Sequence, residues 1–390
     1  MDPRRGTWIH SSHGFRKNPS TNQVGFVQIR YVERGLLVRS SLVGKAHGLG
    51  GLAWTVETES SGRVFFLEDG ICMKEQTSQD GRIFVETMVL LLRSAPTLDE
   101  IKSVLGDFKI NKVRNQGIDT WEHCGPALFL EYREEYFGQY VIDIVDRPWP
   151  DELDYDKPDT KLHKAWREGC FGISTCPGAL ERAAEQSWVW PEGREQIKQA
   201  KAFLRVRTTF MLDRDEEFEE DDWIPEDYDA PEELMEIHTV VSALLKLPQV
   251  ICYFNPQGEV LRDAKSFEEA DDLYYDNELP ALELWCNVRL FRVNEEWTMM
   301  DTVGNSQIGV PDLEAVFFAD AYSPAEVDEL LRLTTMCFLE NPDFDGESMQ
   351  DEKGTTWKMT HHADSICDPP RQVVRLIPDD SRKVPEEVST

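Results

Sequence analysis

The sequence predicts an α+β protein of two ferredoxin-like (split β-α-β) or related sandwich domains, with antiparallel or mixed sheets. Three observations lead there. At about 150 residues per domain, 390 residues suggest two to three domains. Hydrophobic residues at 41% and aromatics at 10% suffice for ordinary packed cores. An acidic stretch then separates two segments that each alternate short apolar strands with amphipathic helices.

The domain plan follows the charge. Residues 1–72 hold nine Lys/Arg and six Asp/Glu and are rich in Gly and Ser, which predicts a weakly ordered N-terminal extension. The packed texture begins at Phe84, and residues 84–212 form the first α+β domain. Phe84 to Arg93 reads as a buried strand before Pro96. Thr97-Leu98-Asp99-Glu100 has capping-box spacing, and Leu98, Ile101, Val104 and Leu105 share one helical face up to Gly106. Strands are expected at Ala127–Tyr132, Phe137–Val145 and Ala202–Leu212, and short helices near Lys161–Arg167 and Ala179–Ser187. Strand–helix–strand–strand–helix–strand is the split β-α-β order.

Residues 213–236 contain 14 Asp/Glu and one Arg, so self-repulsion favours an extended acidic linker or loop. The second α+β domain spans 237–378. A helix is expected from His238 to Leu247. Strands follow at Val250–Phe254 and Glu259–Leu261, around a Pro256-Gln257-Gly258 turn. Ser266 is expected to cap an acidic helix. Leu282–Val293 and Trp297–Val303 read as paired strands turning at Asn294-Glu295. After a strand at Leu313–Phe318, Ser323-Pro324-Ala325-Glu326 opens a helix with cap, proline and glutamate in their preferred places. Arg371–Ile377 is the last strand, and 379–390 a charged tail.

Composition excludes several functions. With 73 acidic and 41 basic residues the net charge is −32, which repels phosphate backbones and argues against nucleic-acid binding. No apolar run nears the roughly 20 residues that span a bilayer, and no apolar stretch follows Arg4-Arg5 as a secretory signal requires. The eight cysteines are scattered without a C-x-x-C pair, as expected of reduced thiols in a cytoplasmic protein.

Catalytic motifs are weak, and no cofactor is expected. His361-His362 with Asp364 and Cys367 offers metal-ligand types, but adjacent side chains diverge, so a polar loop is the preferred reading and no metal site is assigned. The acids of Asp213–Glu219 and Asp343–Ser348 only partly match a calcium loop. His123-Cys124 and His163 with Cys170 are sequence neighbours without the spatial convergence of a dyad. Gly44–Gly51 lacks the Ser or Thr that a phosphate loop places after its lysine.

Two segments look more specific. In Trp188-Val189-Trp190, strand-like alternation would place both indoles on one face as a stacking platform. Asp301-Thr302-Val303-Gly304 and Gly309-Val310-Pro311-Asp312-Leu313-Glu314 bracket a loop whose glycines permit close backbone approach. Trp188, Trp190, Thr302, Gly304, Gly309 and Glu314 are therefore the candidate ligand-binding residues. Glu314, alone in an apolar strand, is either a paired buried acid or an edge residue.

These segments resemble a bacterial family known as domain of unknown function 4261. The likeness lies in Phe84–Leu92 with Pro96, Glu185–Trp190, Ala202–Val206, Asp301–Gly304, Gly309–Glu314 and Pro369–Arg375, across roughly residues 84–378. The resemblance implies a soluble bacterial α+β protein and brings no activity with it.

The expected function is a non-catalytic protein-interaction or regulatory, immunity-like module. Its acidic surface, centred on Asp215, Glu216, Glu217, Glu219, Glu220, Asp221 and Asp222, would dock a basic protein partner. The alternatives are a small-molecule binder using the Trp188/Trp190 face and the Gly304–Gly309 loop, and a metal-dependent hydrolase using His361 and His362.

Overall fold

The computed structural model describes residues 25–33, 36–44, 84–118, 120–153, 160–212, 224–277, 279–341, 344, 347–380 and 382–388. Strands β1 (Gly25–Glu33) and β2 (Leu36–Gly44) pair as an antiparallel hairpin. The elements that follow are β3 (Glu86–Leu92), α1 (Leu98–Leu105), β4 (Ile110–Arg114), β5 (Ala127–Glu131), β6 (Gln139–Val145), α2 (Lys161–Arg167), α3 (Ala179–Glu185), α4 (Gly193–Gln196) and β7 (Ala202–Thr209). Beyond the acidic stretch come α5 (Ala230–Leu244), β8 (Val250–Asn255), β9 (Val260–Arg262), α6 (Ala264–Asn277), α7 (Leu282–Trp285), β10 (Asn287–Arg292), β11 (Trp297–Val303) and β12 (Asp312–Phe318). The chain closes with α8 (Pro324–Glu340), β13 (Ser348–Gln350), β14 (Thr356–His362) and β15 (Val373–Pro378).

The α+β class is as expected, and the sheets are antiparallel and mixed. One sheet has seven antiparallel strands in the order β4-β5-β6-β7-β3-β8-β9, and the other six in the order β10-β11-β12-β15-β14-β13. Both exceed the four strands of a single split β-α-β unit. The one parallel pair in the second sheet is β12 with β15, joined by a connection containing α8. Strands β8 and β9, which follow the acidic stretch, complete the sheet begun by β3.

The main core collects one face of each sheet. Met88, Leu90, Leu128, Ile142 and Leu204 from the first meet Leu313, Ala315, Val374 and Leu376 from the second, together with apolar faces of α1, α5, α6 and α8. Alternate residues Val89, Leu91 and Phe203 point the other way, into a cluster with Trp149, Trp166 and Phe171. Both predicted capping boxes form: Thr97 accepts from the Glu100 amide and Ser323 from that of Glu326, while each glutamate reaches back.

Several local expectations are corrected. Residues 282–285 form a helical turn, so the strand begins at Asn287. Asp263 rather than Ser266 heads α6, its Oδ1 accepting the Ser266 amide at 2.9 Å. Helix α5 starts eight residues before His238, with Asp229 as its cap and a proline in its first turn. The acids of that turn disguised it as linker. His361 and His362 end strand β14 rather than occupying a polar loop.

Candidate functional site

Register across the second sheet sets Arg289 opposite Asp301, Asp301 opposite Glu314, and Glu314 opposite Arg375. Directly opposed residues share a face, so four charged side chains form one row from β10 to β15. All four are at most 2% exposed. Arg289 forks onto Asp301 at 2.9 and 2.6 Å, and its Nη1 donates to Glu259 at 3.1 Å. Arg182 of α3 holds the other side of Glu259 at 2.6 Å. Arg371 donates to Asp301 Oδ2 and to the Thr302 carbonyl at 2.6 and 2.8 Å and faces Asp312 at 3.2 Å. Glu314 takes two nitrogens of Arg375 at 3.0 Å and the Ile366 amide at 2.6 Å. It is thus the paired buried acid of the two alternatives.

This lattice balances its charge. Arg182, Arg289, Arg371 and Arg375 stand against Glu259, Asp301, Asp312 and Glu314. Burial by itself would loosen the protons of Arg289 and Arg371, but Asp301 leads the carboxylates that raise both above the ordinary arginine value. A buried ion pair of such geometry is costly to break and adds little when intact. Chemically it is a brace: Arg182 comes from α3 and Glu259 from the β8–β9 turn, both associated with the first sheet, while the remaining members belong to the second.

The predicted glycine loop makes its close approach to the chain itself. Gly304 has φ +111°, and a Cβ there would lie 2.5 Å from the Gly258 Cα and 2.6 Å from the Trp285 carbonyl oxygen. Gln307 donates to that same carbonyl at 2.8 Å and accepts from Asn255 at 2.9 Å. Thr302 donates to Asp312 and accepts the Leu313 amide, and Gly309, at φ +72°, ends the 305–308 turn.

Trp188 and Trp190 differ in surroundings. Residues 186–190 are bends rather than strand, with the Trp188 amide on the Gln186 carbonyl and Ser187 Oγ on that of Trp190. Trp190 packs against the Trp149–Phe171 cluster and over Gly193, whereas Trp188 is 62% and Val189 56% exposed. Gln186 braces the bend by clasping Leu290 on β10, donating to its carbonyl at 3.4 Å and accepting its amide at 3.2 Å.

The remaining candidates stay apart. His362 bonds Thr360 at 2.9 Å, and the described residues contain no group of three His, Cys, Asp or Glu able to hold a metal. Burial pushes the thiols of Cys170 and Cys367 up to about 11, away from nucleophilic thiolates. Asp215, Glu216, Glu217, Glu219, Glu220, Asp221 and Asp222 lie outside the described residues, as do most of Gly44–Gly51 and both Asp343 and Asp345.

One titratable cluster escaped the sequence reading, because its members are far apart in the chain. Glu86 accepts from Tyr228 at 2.9 Å, and Glu233 accepts from Tyr132 at 2.7 Å and from Arg133. Burial, opposed by Tyr228, raises Glu86 to about 8. A carboxyl whose folded pKa exceeds its unfolded value contributes stability below the unfolded pKa and loses it as pH rises through the folded one. Glu86→Gln should therefore leave the melting temperature nearly unchanged at pH 5 and raise it at pH 9. Parallel melting curves at the two pH values test this, and an equal shift at both would contradict it.

These features define an α+β protein built around a closed, charge-balanced lattice and an exposed tryptophan. Residues 301–377 match the family described as Domain of unknown function (DUF4261). The segment carries Asp301, Thr302, Asp312, Glu314, Arg371 and Arg375, so most of the lattice lies within the matched region. Comparison with curated proteins and with solved structures finds no match. Among the described residues no helix is long and apolar enough to cross a membrane.

Proposed function

We propose that the protein is a non-catalytic interaction module that docks a basic protein partner around Trp188. The observation carrying this reading is the 62% exposure of Trp188 on a bend fixed from both sides. A tryptophan carried on a braced bend loses little backbone entropy on binding, and tryptophan is enriched among residues that dominate interface energy. Glu181, Glu185 and Glu192, near it in the chain, are exposed, with Glu185 paired to Arg194 at 3.4 Å. An arginine or lysine of the partner would gain cation–π contact with the ring and charge attraction from the acidic chain. The net charge of −32 steers such a partner inward and opposes nucleic acid.

A regulatory or immunity-like role and a reducing, cytoplasmic location accompany this reading. Buried free thiols at Cys170, Cys252 and Cys286 support the location. In the direct test, immobilised protein and its Trp188→Ala variant are exposed to host lysate, with bound proteins identified by mass. A stoichiometric basic partner lost in the variant, at an unchanged melting temperature, is expected. Equal retention by both forms would remove Trp188 from the interface.

A further inference from the structure

The first sheet also carries a charged row, and this one is unbalanced. Register sets Arg114 opposite Ala127, Ala127 opposite Asp143, and Asp143 opposite Arg205. Arg207, two residues along β7, shares that face by alternation. Asp143 is fully buried and takes Arg205 at 2.6 and 3.0 Å and Arg207 at 2.9 Å. Arg205 completes its bonds on the carbonyls of Trp121, Glu122 and Cys170.

Arg207 does not. It is 1% exposed, with its guanidinium carbon 3.7 Å from the centre of the Phe84 ring. Only its Nη2 is bonded, to Asp143 and the Glu122 carbonyl, and the N–H groups of Nε and Nη1 meet no acceptor. Arg114 likewise bonds the Gly125 carbonyl and His123 Nδ1, while its buried Nη2 meets none. Glu122, half-buried, directs its carboxylate towards His123 Nε2 at 3.4 Å.

We propose that this face binds a small phosphate-type oxyanion through Arg207 and Arg114. Three guanidinium groups stand against the buried carboxylate of Asp143 and the half-buried one of Glu122, so positive charge is left over beside the fully buried Arg207, which is costly unless neutralised. A phosphate offers enough oxygens to accept charge-assisted hydrogen bonds from the unbonded N–H groups of both Arg207 and Arg114, whereas a monocarboxylate has only two. The ligand is small because the unpartnered nitrogens are enclosed, and because a chain of net charge −32 repels a polyanion. Burial also pushes Arg207 down to about 10, with Asp143 opposing, as an undercompensated cation would behave. This site is separate from Trp188, so its failure would leave the docking proposal intact.

The test uses full-length protein in phosphate-free buffer at constant ionic strength. Melting temperature is followed against inorganic phosphate, glycerol phosphate, acetate and chloride. A saturable rise with inorganic phosphate or the monoester, and none with acetate or chloride, is expected. The stronger of the first two identifies free phosphate or a phosphomonoester as the ligand. Arg207→Met replaces the guanidinium by an apolar chain that fills part of its space and should abolish the rise. Arg114→Gln, on the edge strand, should weaken phosphate binding about tenfold or more, the loss of one charge-assisted hydrogen bond. Phosphate acting no better than chloride would overturn the proposal, as would undiminished binding in either folded variant.

Discussion

Asp301→Asn is expected to destabilise the protein by about 3–5 kcal/mol, the cost of leaving buried charge without its counter-ion. Asp301 is 0% exposed and serves both Arg289 and Arg371. Asparagine preserves the shape but offers one carbonyl and no charge to two guanidinium groups. Neither arginine can retreat into water, since Arg289 is 1% exposed and Arg371 is held by the carbonyls of Cys367, Pro369 and Thr302. The surface pair Lys198–Glu195, more than 60% exposed on both sides, provides the contrast. Lys198→Met should leave the stability nearly unchanged. Urea midpoints of the two variants beside the parent measure the difference, and comparable losses would show that the lattice is not a brace.

Gly258→Ala is expected to be as severe, for a steric reason. An added Cβ would lie 1.6 Å from the Trp285 carbonyl oxygen and 2.7 Å from its carbon. That carbonyl is fixed by Gln307 at 2.8 Å, and the Gly258 carbonyl itself accepts the Asn287 amide at 3.1 Å. Backbone must shift where the β8–β9 turn meets the start of β10, so a cost of about 3 kcal/mol or more follows. Gly106 is the control: its φ is +54°, yet a Cβ there meets nothing within 4 Å. Gly106→Ala should cost less, about 1–3 kcal/mol, from backbone strain alone. Soluble yield and melting temperature report both, and a well-folded Gly258→Ala protein would refute the close-packing argument.

The legible parts of the fold were those with local causes. The caps at Thr97 and Ser323, the strands of alternating apolar residues and the turn at Asn294 each depend on residues a few positions apart. The first two turns of helix α5 were hidden because Glu232, Glu233 and Glu236 read as solvated linker, although Glu233 is buried against Tyr132 and Arg133. Strand β4 was hidden because it is an edge strand, with Asn111 and Lys112 exposed.

At the candidate site, Thr302 and Gly304 were found from their glycine-rich loop and Glu314 from its place in an apolar strand, but their partners were not. Arg289, Arg371 and Glu259 meet only through sheet register and a crossover, which spacing does not encode. Arg205 and Arg207 did carry a signal: two arginines alternating within an apolar strand must share a face and require a counter-charge there. Trp188 and Trp190 were separated by a local bend that strand alternation could not anticipate.

The proposed docking surface is the exposed Trp188 indole. Its most direct measurement is retention of a host partner on the parent protein and on Trp188→Ala across a salt series. A basic partner should be held by the parent at low salt, released as salt screens the attraction to the acidic chain, and absent from the variant throughout. A partner held equally by both proteins, or one unmoved by salt, would contradict the account.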